Sequence, residues 1–440
     1  MASRSNRRDF MKTSAATGIG FWVAAGLKAD EIKSPNSDIA IASIGIGGKG
    51  DSDSDDAGKS ARMVAICDVD ENRLNAVGEG KFRQAKRYTD YRQMLDEMRG
   101  KIDAVTVSTP DHMHAPISLM AMRMGIHCFC QKPLTRTIYE ARLMAQVAKE
   151  KKLATQMGNQ GTAEAGLRRS AAIVKGGTLG PVKEVHVWTD RPKWPQGTPR
   201  PKAAKCPSEL KWNEWIGAAP VRPYARGVYH TFAWRGWWDF GCGALGDMAC
   251  HTMNMPYMAL DLRNPIAAQA DCTGHSGDSF PSKSKITYEF AENGNRPAVK
   301  LYWYDGGNLP EKELVGGPVP QAGCLVIGEK GKLFTGGDYG EDMKLIGVEK
   351  PSDVKFVESP GHFEEWIRAI KGGEPAVSNF PDYSGPLTEM VLLGNLAVWV
   401  AATGRGDRVE WDAQNMKCTN IAGLESLIKP SYRAGYTLDA

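Results

Sequence analysis

Gly45, Gly47 and Gly50 belong to a stretch whose residue types and spacing can bind a phosphate. They follow an apolar run, Ile39 to Ile44, in the order G-x-G-x-x-G. Glycine has no Cβ, so the backbone can turn sharply and approach a phosphate, while the N–H groups that open the following helix point at it. A second apolar run ends in Asp68, 23 residues after Gly45. An acid there can bind ribose hydroxyls and would repel a 2′-phosphate, so the stretch predicts binding of NAD rather than NADP.

Strand, glycine turn, helix, strand and acid together predict a Rossmann dinucleotide-binding unit, although the glycines alone would also fit an ordinary turn. We expect Gly48 and Lys49 to bind the cofactor together with the three glycines. The start of the predicted helix carries four aspartates, Asp51, Asp53, Asp55 and Asp56. They suit the helix dipole but would repel a phosphate, so we expect them to face solvent.

A second glycine-rich stretch, Gly241 to His251, carries an acid and a base at helical spacing. Asp247 and His251 are four residues apart, so on a helix they lie on one face. The glycines would let a ligand or a second backbone come close. Taken alone, such a pair is more often a surface pair than a catalytic one, so its role depends on the rest of the chain.

The first half of the chain alternates short apolar runs with helical patterns. This alternation predicts an α/β Rossmann domain with a parallel sheet over residues 36–160. Ligands of such sheets bind at the carboxyl ends of the strands. In this sequence those ends are Gly45–Gly50, Asp68, Thr109–His114, Gln131–Pro133 and Gly158–Gln160.

The second half changes to the period of two that is typical of exposed strands. Ile286, Tyr288 and Phe290 alternate with polar residues, and Asn293-Gly294 predicts a hairpin turn before the next run. We therefore predict an α+β domain with a largely antiparallel, open-faced sheet over residues 161–420. It contains a loop-rich insertion at 191–236 and is followed by a C-terminal tail at 421–440.

Seven of the twelve tryptophans lie between Trp188 and Trp238, around this insertion. Indole rings stack on the apolar faces of sugars, so they are candidate carbohydrate contacts, although they also suit a small core of the insertion itself. The predicted substrate residues are Trp188, Arg191, Trp194, His230, Arg235 and Trp238.

The N-terminus resembles an export signal. Ser5 to Lys12 contains Arg7-Arg8 and is similar to the twin-arginine motif, and the uncharged stretch 14–27 is too short for a comfortable membrane span. Residues 1–30 therefore predict export to the periplasm or another extracytoplasmic compartment, with no stable span in the mature protein. A disordered basic N-terminus is the alternative.

Composition narrows the class of partner. The net charge of +4 over 440 residues, without a long basic block, gives no sign of nucleic-acid binding. The nine cysteines have no credible zinc spacing, and we predict no metal site. Cys128 and Cys130 lie in an apolar strand and are interpreted as buried thiols, with a metal or disulfide role as the alternative.

Two further motifs point to a known protein family. They are TPDHMH at Thr109 to His114 and CQKP at Cys130 to Pro133. With the glycine-rich helix of Asp247 and His251, they resemble the glucose–fructose oxidoreductase, inositol dehydrogenase and MocA family, or Gfo/Idh/MocA. That family carries a Glu-Lys-Pro motif whose lysine meets the nicotinamide and the substrate hydroxyl. The resemblance implies Lys132 in that role, His251 as general base and Asp247 as a substrate-orienting acid.

The chain departs from the family at Gln131, where the family usually has glutamate. A neutral amide can still hydrogen-bond the cofactor, but it offers no negative charge beside Lys132. The full set of predicted cofactor residues is Gly45, Gly47, Gly48, Lys49, Gly50, Asp68, Thr109, Pro110, His114, Gln131, Lys132 and Asn159.

Three functions fit this sequence. The first is an NAD-dependent oxidoreductase acting on a sugar, glycoside or cyclitol hydroxyl, with tightly bound NAD. The second is a redox-neutral enzyme that cleaves glycosides by transient ring oxidation and elimination, and the third is a non-catalytic NAD-bound sugar-binding protein. The intact Lys132, Asp247 and His251 argue against the third. The sheet's open face, including Thr287, Glu289, Tyr302 and Tyr304, predicts a homo-oligomer, a dimer or tetramer.

Overall fold

The computed structural model describes residues 39–294, 296–340 and 342–438. The predicted twin-arginine segment, residues 1–30, lies outside these ranges. Within them, no helix has both the length and the apolar character needed to span a membrane.

Six short strands form a parallel sheet in the order β3-β2-β1-β4-β5-β6. Strands β1 and β4 at its centre are buried along their whole length, because helices cover both faces. This strand order is that of a dinucleotide-binding Rossmann sheet, as the sequence predicted. The strands are β1 Ala40–Ile44, β2 Arg62–Cys67, β3 Lys86–Tyr88, β4 Ala104–Val107, β5 His127–Cys130 and β6 Thr155–Met157.

Three of the helices of this part begin at a side-chain cap. Asp70 and Asp90 accept from backbone N–H groups two residues later, and Thr137 and Glu140 form a capping box. The helices are α1 Lys49–Ser60, α2 Glu71–Glu79, α3 Tyr91–Glu97, α4 His114–Arg123, α5 Ile138–Glu150 and α6 Ala165–Lys175. Short 3₁₀ turns occupy Asp111–Met113 and Gln160–Ala163.

The turn between β1 and α1 needs its glycines for different reasons. Gly45 has φ +76°, a left-handed conformation that side chains disfavour. At Gly50, a Cβ would overlap the carbonyl oxygen of Gly45, so its absence brings α1 close to the strand. The helix therefore opens directly over the carboxyl edge of the sheet.

A second sheet of nine strands has the order β13-β12-β11-β7-β10-β9-β8-β14-β15. Strands β7 and β10 run parallel, and the other neighbouring pairs are antiparallel, so the largely antiparallel prediction is confirmed. The strands are β7 Val182–Trp188, β8 Ala267–Cys272, β9 Ser284–Phe290, β10 Val299–Tyr304, β11 Gly323–Gly328, β12 Lys332–Gly336, β13 Met343–Ile346, β14 Val409–Asp412 and β15 Lys417–Cys418.

One face of this sheet packs on the apolar helix α12. Ile286, Tyr288 and Phe290 are buried, as their alternation predicts, and the Tyr288 hydroxyl donates to the Val391 carbonyl at 3.1 Å. The helices of this part are α7 Trp212–Ile216, α8 Gly243–Thr252, α9 Asn254–Leu260, α10 Lys312–Val315, α11 His362–Ile370, α12 Gly385–Val400 and α13 Glu425–Ile428. A 3₁₀ turn at Ala233–Gly236 and a π-helical turn at Phe380–Ser384 complete the described elements.

The opposite face is partly covered by the chain itself. His186 stacks on Tyr302, with ring centroids 4.9 Å apart, and the Lys285 ammonium lies 5.3 Å from the Tyr304 ring. Tyr304 is buried in a small apolar cluster that includes Val315 from α10. The surface left for a partner is therefore smaller than the alternation alone suggests.

The insertion and the residues directly after it form a separate core, which includes Trp215, Tyr229, Trp237 and Phe240. Trp212 and Trp215 stack with centroids 4.7 Å apart. The C-terminal tail packs against helices α5 and α3 of the Rossmann domain. The Tyr432 hydroxyl donates to Glu140 at 2.9 Å, and Tyr436 is buried beneath Arg92.

Candidate active site

A cavity of about 410 Å³ lies along the carboxyl edge of the parallel sheet. The glycine turn, the strand ends, the insertion and α8 all contribute to its wall. It brings together most of the residues that the sequence predicted. Those in the wall are Gly45, Gly47, Gly48, Lys49, Asp68, Thr109, Pro110, Gln131, Lys132, His230, Arg235 and His251.

Asp68 holds the glycine turn in place. Its carboxylate accepts from the backbone N–H of Ile46 at 3.0 Å and of Asp70 at 2.9 Å. Burial raises the pKa of Asp68, while these two N–H groups and the nearby Arg73 act in the opposite direction. Each carboxylate oxygen accepts more than one hydrogen bond, so the side chain can also bind ribose hydroxyls.

Four buried polar atoms in residues of the cavity wall have no hydrogen-bond partner among the described residues. They are Thr109 Oγ1, Gln160 Oε1, His251 Nδ1 and the Tyr436 hydroxyl oxygen. Buried polar atoms are normally paired, so unpaired ones on a cavity wall indicate a polar ligand. Together with the glycine turn and Asp68, they fit a dinucleotide and a polar substrate.

Two hydrogen bonds to Asp247 hold the Lys132 ammonium in place. Its ammonium donates to the Asp247 carboxylate at 3.0 Å and to the Asp247 backbone carbonyl at 2.7 Å, and its side chain is only 14% exposed. Arg235 donates to the same carboxylate oxygen at 3.0 Å. Burial opposes ionisation of Asp247, but these two cations prevail and hold its pKa well below the ordinary value.

Asp247 itself lies outside the cavity wall. Its carboxylate accepts from Lys132 and Arg235, and both of these residues line the cavity. Asp247 therefore holds two cations of the cavity wall in place.

His251 lies one helical turn after Asp247 on α8 and lines the cavity. Burial lowers its pKa well below the ordinary value, and the Lys132 charge adds to the effect. Tyr339 packs edge-on against the imidazole, with ring centroids 5.1 Å apart. The ring is therefore neutral near pH 7 and can accept a proton.

Asp111 is a site residue that the sequence analysis did not single out. It is buried in the wall, and burial raises its pKa to about 7, opposed chiefly by the Arg235 charge. Its position inside the TPDHMH motif was visible in the sequence. Only the fold shows that the chain turns this carboxyl toward the cavity.

The expectation that all four aspartates of α1 face solvent is wrong for Asp53. Asp51, Asp55 and Asp56 are at least partly exposed, but Asp53 is fully buried. The Lys49 ammonium lies 2.6 Å from one of its oxygens, and the Gln131 amide lies 2.8 Å from the other. Helical periodicity gives the reason, since position 53 lies on the buried face of α1 with Gly50 and Ala57, whereas the other three aspartates do not.

Three predicted cofactor residues lie outside the cavity wall. Gly50 provides close packing of α1. The His114 ring bridges the carbonyls of Thr109 and Pro133 at 2.9 Å each, and burial lowers its pKa to about 4. Asn159 is buried, and its amide faces the Cys250 carbonyl at 3.5 Å. These residues support the wall rather than forming it.

Four of the six predicted substrate residues also lie outside the wall. Trp188 is fully buried and donates to the Pro320 carbonyl at 2.8 Å, while Trp194 donates to Gln196 at 2.9 Å. Trp238 stacks on Phe280, and Arg191 pairs with Asp190. Composition identified the tryptophan-rich region, but it does not show which of its rings line the cavity.

Other aromatic residues line the cavity instead. Trp215, Trp234 and Phe232 come from the insertion, and Phe232 is 49% exposed. The Arg235 guanidinium lies 4.2 Å from the Trp234 ring centroid. The aromatic surface expected for a sugar is therefore present, but on different residues.

All nine cysteines lie in described residues and carry free thiols. Cys128 and Cys130 are buried, which agrees with their interpretation as buried thiols. No group of three or more His, Cys, Asp or Glu side chains in the described ranges could hold a metal ion.

Comparison with models of protein families shows which family this chain belongs to. Residues 39–159 match the model of an oxidoreductase family with an NAD-binding Rossmann fold, and residues 173–308 match the model of that family's C-terminal alpha/beta domain. Together the two matches cover more than half of the chain. The chain belongs to the Gfo/Idh/MocA oxidoreductase family. The predicted fold and the predicted cofactor, NAD, are thereby confirmed.

Individual relatives in the family are more distant. A glycosyl hydrolase family 109 protein of Solibacter usitatus is 28% identical over 152 residues, which span 31% of this chain and 35% of the relative. The D-glucoside 3-dehydrogenase of Escherichia coli is 34% identical over 88 residues, which span 20% and 24%. The matched part thus spans about a third or less of these relatives.

A solved structure matches over a greater length. The WlbA dehydrogenase from Bordetella pertussis, in complex with NADH and UDP-GlcNAcA, covers 86% of this chain and 99% of its own, with a TM-score of 0.61. At 16% identity, this likeness establishes the shared fold alone.

Replacing Asp68 tests the cofactor preference of this family member. Asp68→Ala removes the ribose acceptor and the charge that repels a 2′-phosphate, so NAD should bind at least about tenfold more weakly and the gap to NADP should narrow. Asp68→Asn is the matched control, because it removes the charge but keeps the shape of the side chain. Titrating both cofactors measures the effect, and equal affinity of the unmutated protein for NAD and NADP would contradict it.

Asp111 should make stability depend on pH. Its folded-state pKa of about 7 lies above the ordinary value, so the folded protein holds a proton that the unfolded chain releases. The resulting stabilisation is present at low pH and is lost as the pH rises toward and through about 7. The midpoint of thermal unfolding should be measured at pH 5 and pH 8 for the unmutated protein and for Asp111→Asn. Relative to the unmutated protein, the midpoint of Asp111→Asn should rise by a few degrees between pH 5 and pH 8. A difference between the two midpoints that does not change with pH would refute the raised pKa of Asp111.

Proposed function

We propose that this protein is an NAD-dependent oxidoreductase acting on a hydroxyl of a sugar, glycoside or cyclitol, with NAD that stays bound between turnovers. One observation carries the proposal. The Lys132 ammonium is held by Asp247 in the wall of the same cavity as His251, whose Nδ1 is buried without a partner among the described residues. A fixed cation and a neutral base in one cavity suit oxidation of an alcohol.

The residues divide the work of that reaction. NAD, when bound, supplies the hydride acceptor. Lys132 has three N–H donors, of which Asp247 occupies two, so the third can donate to the oxygen that becomes negative. His251 takes the hydroxyl proton, and its lowered pKa keeps it unprotonated and ready to do so.

The cavity wall supports a carbohydrate substrate. Trp234 and Phe232 offer ring faces, while Arg235 and Asp111 offer hydrogen-bonding groups beside Lys132. Alternating apolar faces and hydroxyls are what a sugar ring presents. The D-glucoside 3-dehydrogenase relative is named for a substrate of this class.

We also propose that the protein is exported and that its bound NAD is regenerated in place. Arg7-Arg8 and the uncharged stretch after it support export after folding. A compartment without a nicotinamide pool would require a retained cofactor. Export would be contradicted if cell fractionation found the protein, expressed from its chromosomal gene, only in the cytoplasm.

The remaining open face of the second sheet supports a homo-oligomer. Thr287, Glu289 and Tyr302 are only partly covered within one chain. A monomer by light scattering at micromolar concentration would contradict this assembly.

The test of the proposed function is direct. The protein should purify with NAD bound and turn over without added cofactor when it is given a panel of sugars and glycosides. Absorbance of NADH and chromatography of the sugars measure the outcome. A stripped protein that consumes free NAD in stoichiometric amounts would overturn retention, and failure to reduce NAD with any member of the panel would count against the reaction.

A second candidate function has one specific observation in its favour, the similarity to the glycosyl hydrolase family 109 protein. It is cleavage of a glycoside by transient oxidation, elimination and return of the hydride. The same assay separates the two functions. Free sugar released without net NADH supports cleavage, whereas an oxidised sugar supports a dehydrogenase or an exchange between two sugars.

Lys132 and His251 should both be needed for the hydride step. Changing either to Ala should slow reduction of bound NAD by at least about 100-fold while NAD stays bound, because one stabilises the oxyanion and the other removes the proton. Lys183→Ala, at an exposed lysine paired with Glu329, is the matched control and should leave the rate unchanged. If His251→Ala reduces NAD at the unmutated rate, the assignment of the base is wrong.

A further inference from the structure

Asp53 lies where three elements of the cofactor site meet. It belongs to α1 and is fully buried. One carboxylate oxygen accepts from Lys49 at 2.6 Å, and the other accepts from Ser108 after β4 and from Gln131 after β5, each at 2.8 Å. A single carboxylate therefore connects the glycine turn's helix to two strand ends.

These contacts fix the orientation of the Gln131 amide. Its nitrogen donates to Asp53, and its oxygen accepts from the backbone N–H of Lys132 at 3.2 Å. An ionised carboxylate only accepts and a backbone N–H only donates, so a flipped amide would oppose both partners. The Gln131 backbone N–H also donates to the Val107 carbonyl at 2.9 Å. Hydrogen bonds therefore hold both the backbone and the side chain of Gln131.

We infer that Asp53 and Gln131 form a positioning pair for Lys132, in which residue 131 is an amide because the carboxylate sits at residue 53. The pair sets the backbone of Lys132, while Asp247 sets its ammonium. Helix α1, which follows the glycine turn, thus carries the buried negative charge next to the end of strand β5, where Lys132 lies. Its effect on turnover rests on the proposed role of Lys132, whereas the pairing itself does not.

The pair can be exchanged without changing the charge of the site. Gln131→Glu alone would place a carboxylate oxygen where the amide nitrogen now lies, 2.8 Å from Asp53, and would set two acceptors against each other. Adding Asp53→Asn restores a donor between them. The new asparagine oxygen can still accept from Lys49, and the new glutamate can still accept from the Lys132 N–H.

The experiment is a double-mutant cycle measured on NAD-loaded protein. Gln131→Glu should slow the single-turnover reduction of bound NAD at least about tenfold at pH 8 and lower the midpoint of thermal unfolding by several degrees. The double variant should return to within about threefold of the unmutated rate. Asp56→Asn, at an exposed acid of the same helix, is the matched control for loss of charge.

The outcomes separate a positioning pair from a merely structural one. If folded, NAD-loaded Gln131→Glu keeps the unmutated rate, the positioning role is overturned. If the double variant recovers neither rate nor thermal midpoint relative to Gln131→Glu, the pairing itself is overturned. Should the unmutated protein reduce no NAD with any sugar, the proposed function fails, and recovery of the thermal midpoint still decides the pairing.

Discussion

The ion pair between Lys132 and Asp247 joins the two halves of this protein at the point where chemistry is expected. Lys132 follows strand β5 of the parallel sheet, and Asp247 lies on helix α8 of the second half. Burying both charges is costly unless each is fully paired. Here the carboxylate receives Lys132 and Arg235, and the ammonium also reaches a backbone carbonyl. Because removal of either partner would leave a buried charge, the relative placement of strand end and helix is strongly specified.

Around this pair, the charged groups and the neutral polar groups are divided in a way that suits catalysis. The buried carboxylates of Asp53 and Asp247 are occupied by cations or donors of the protein itself. Within the cavity wall, the buried side-chain atoms without a protein partner among the described residues are neutral ones, including Thr109 Oγ1 and His251 Nδ1. The protein thus compensates its own charges, while neutral groups are left to bind the ligand. His251 in particular stays unprotonated, because burial and the neighbouring Lys132 charge both lower its pKa.

Local sequence patterns predicted the parts of the site that depend on one element or one turn. The glycine turn and Asp68 follow from short-range spacing, and Asp247 and His251 follow from their spacing together with the family resemblance. The structure brings the glycine turn, Asp68 and His251 to one cavity, with Asp247 bonded to Lys132 in its wall. The residues that were missed depend on packing between distant elements. Asp53 is buried because α1 lies close against the sheet, and Trp234 lines the cavity while it also packs in the insertion's core. No spacing along the chain carries that information, since it arises only when the elements pack.

The insertion also explains how a cofactor could be held. His230 contacts Asp70 at 2.8 Å, directly after the loop that carries Asp68. Lys211 pairs with Glu71 at 2.7 Å, and the Asp70 and Leu210 backbones form a β-bridge. These contacts attach the insertion to the edge of the Rossmann domain that binds the adenosine ribose in this fold, and Tyr436 from the C-terminus lines the same cavity. A dinucleotide lying on the sheet would be enclosed by segments far apart in sequence, and its release would require several of these contacts to open together. Enclosure of this kind supports our proposal that NAD stays bound between turnovers.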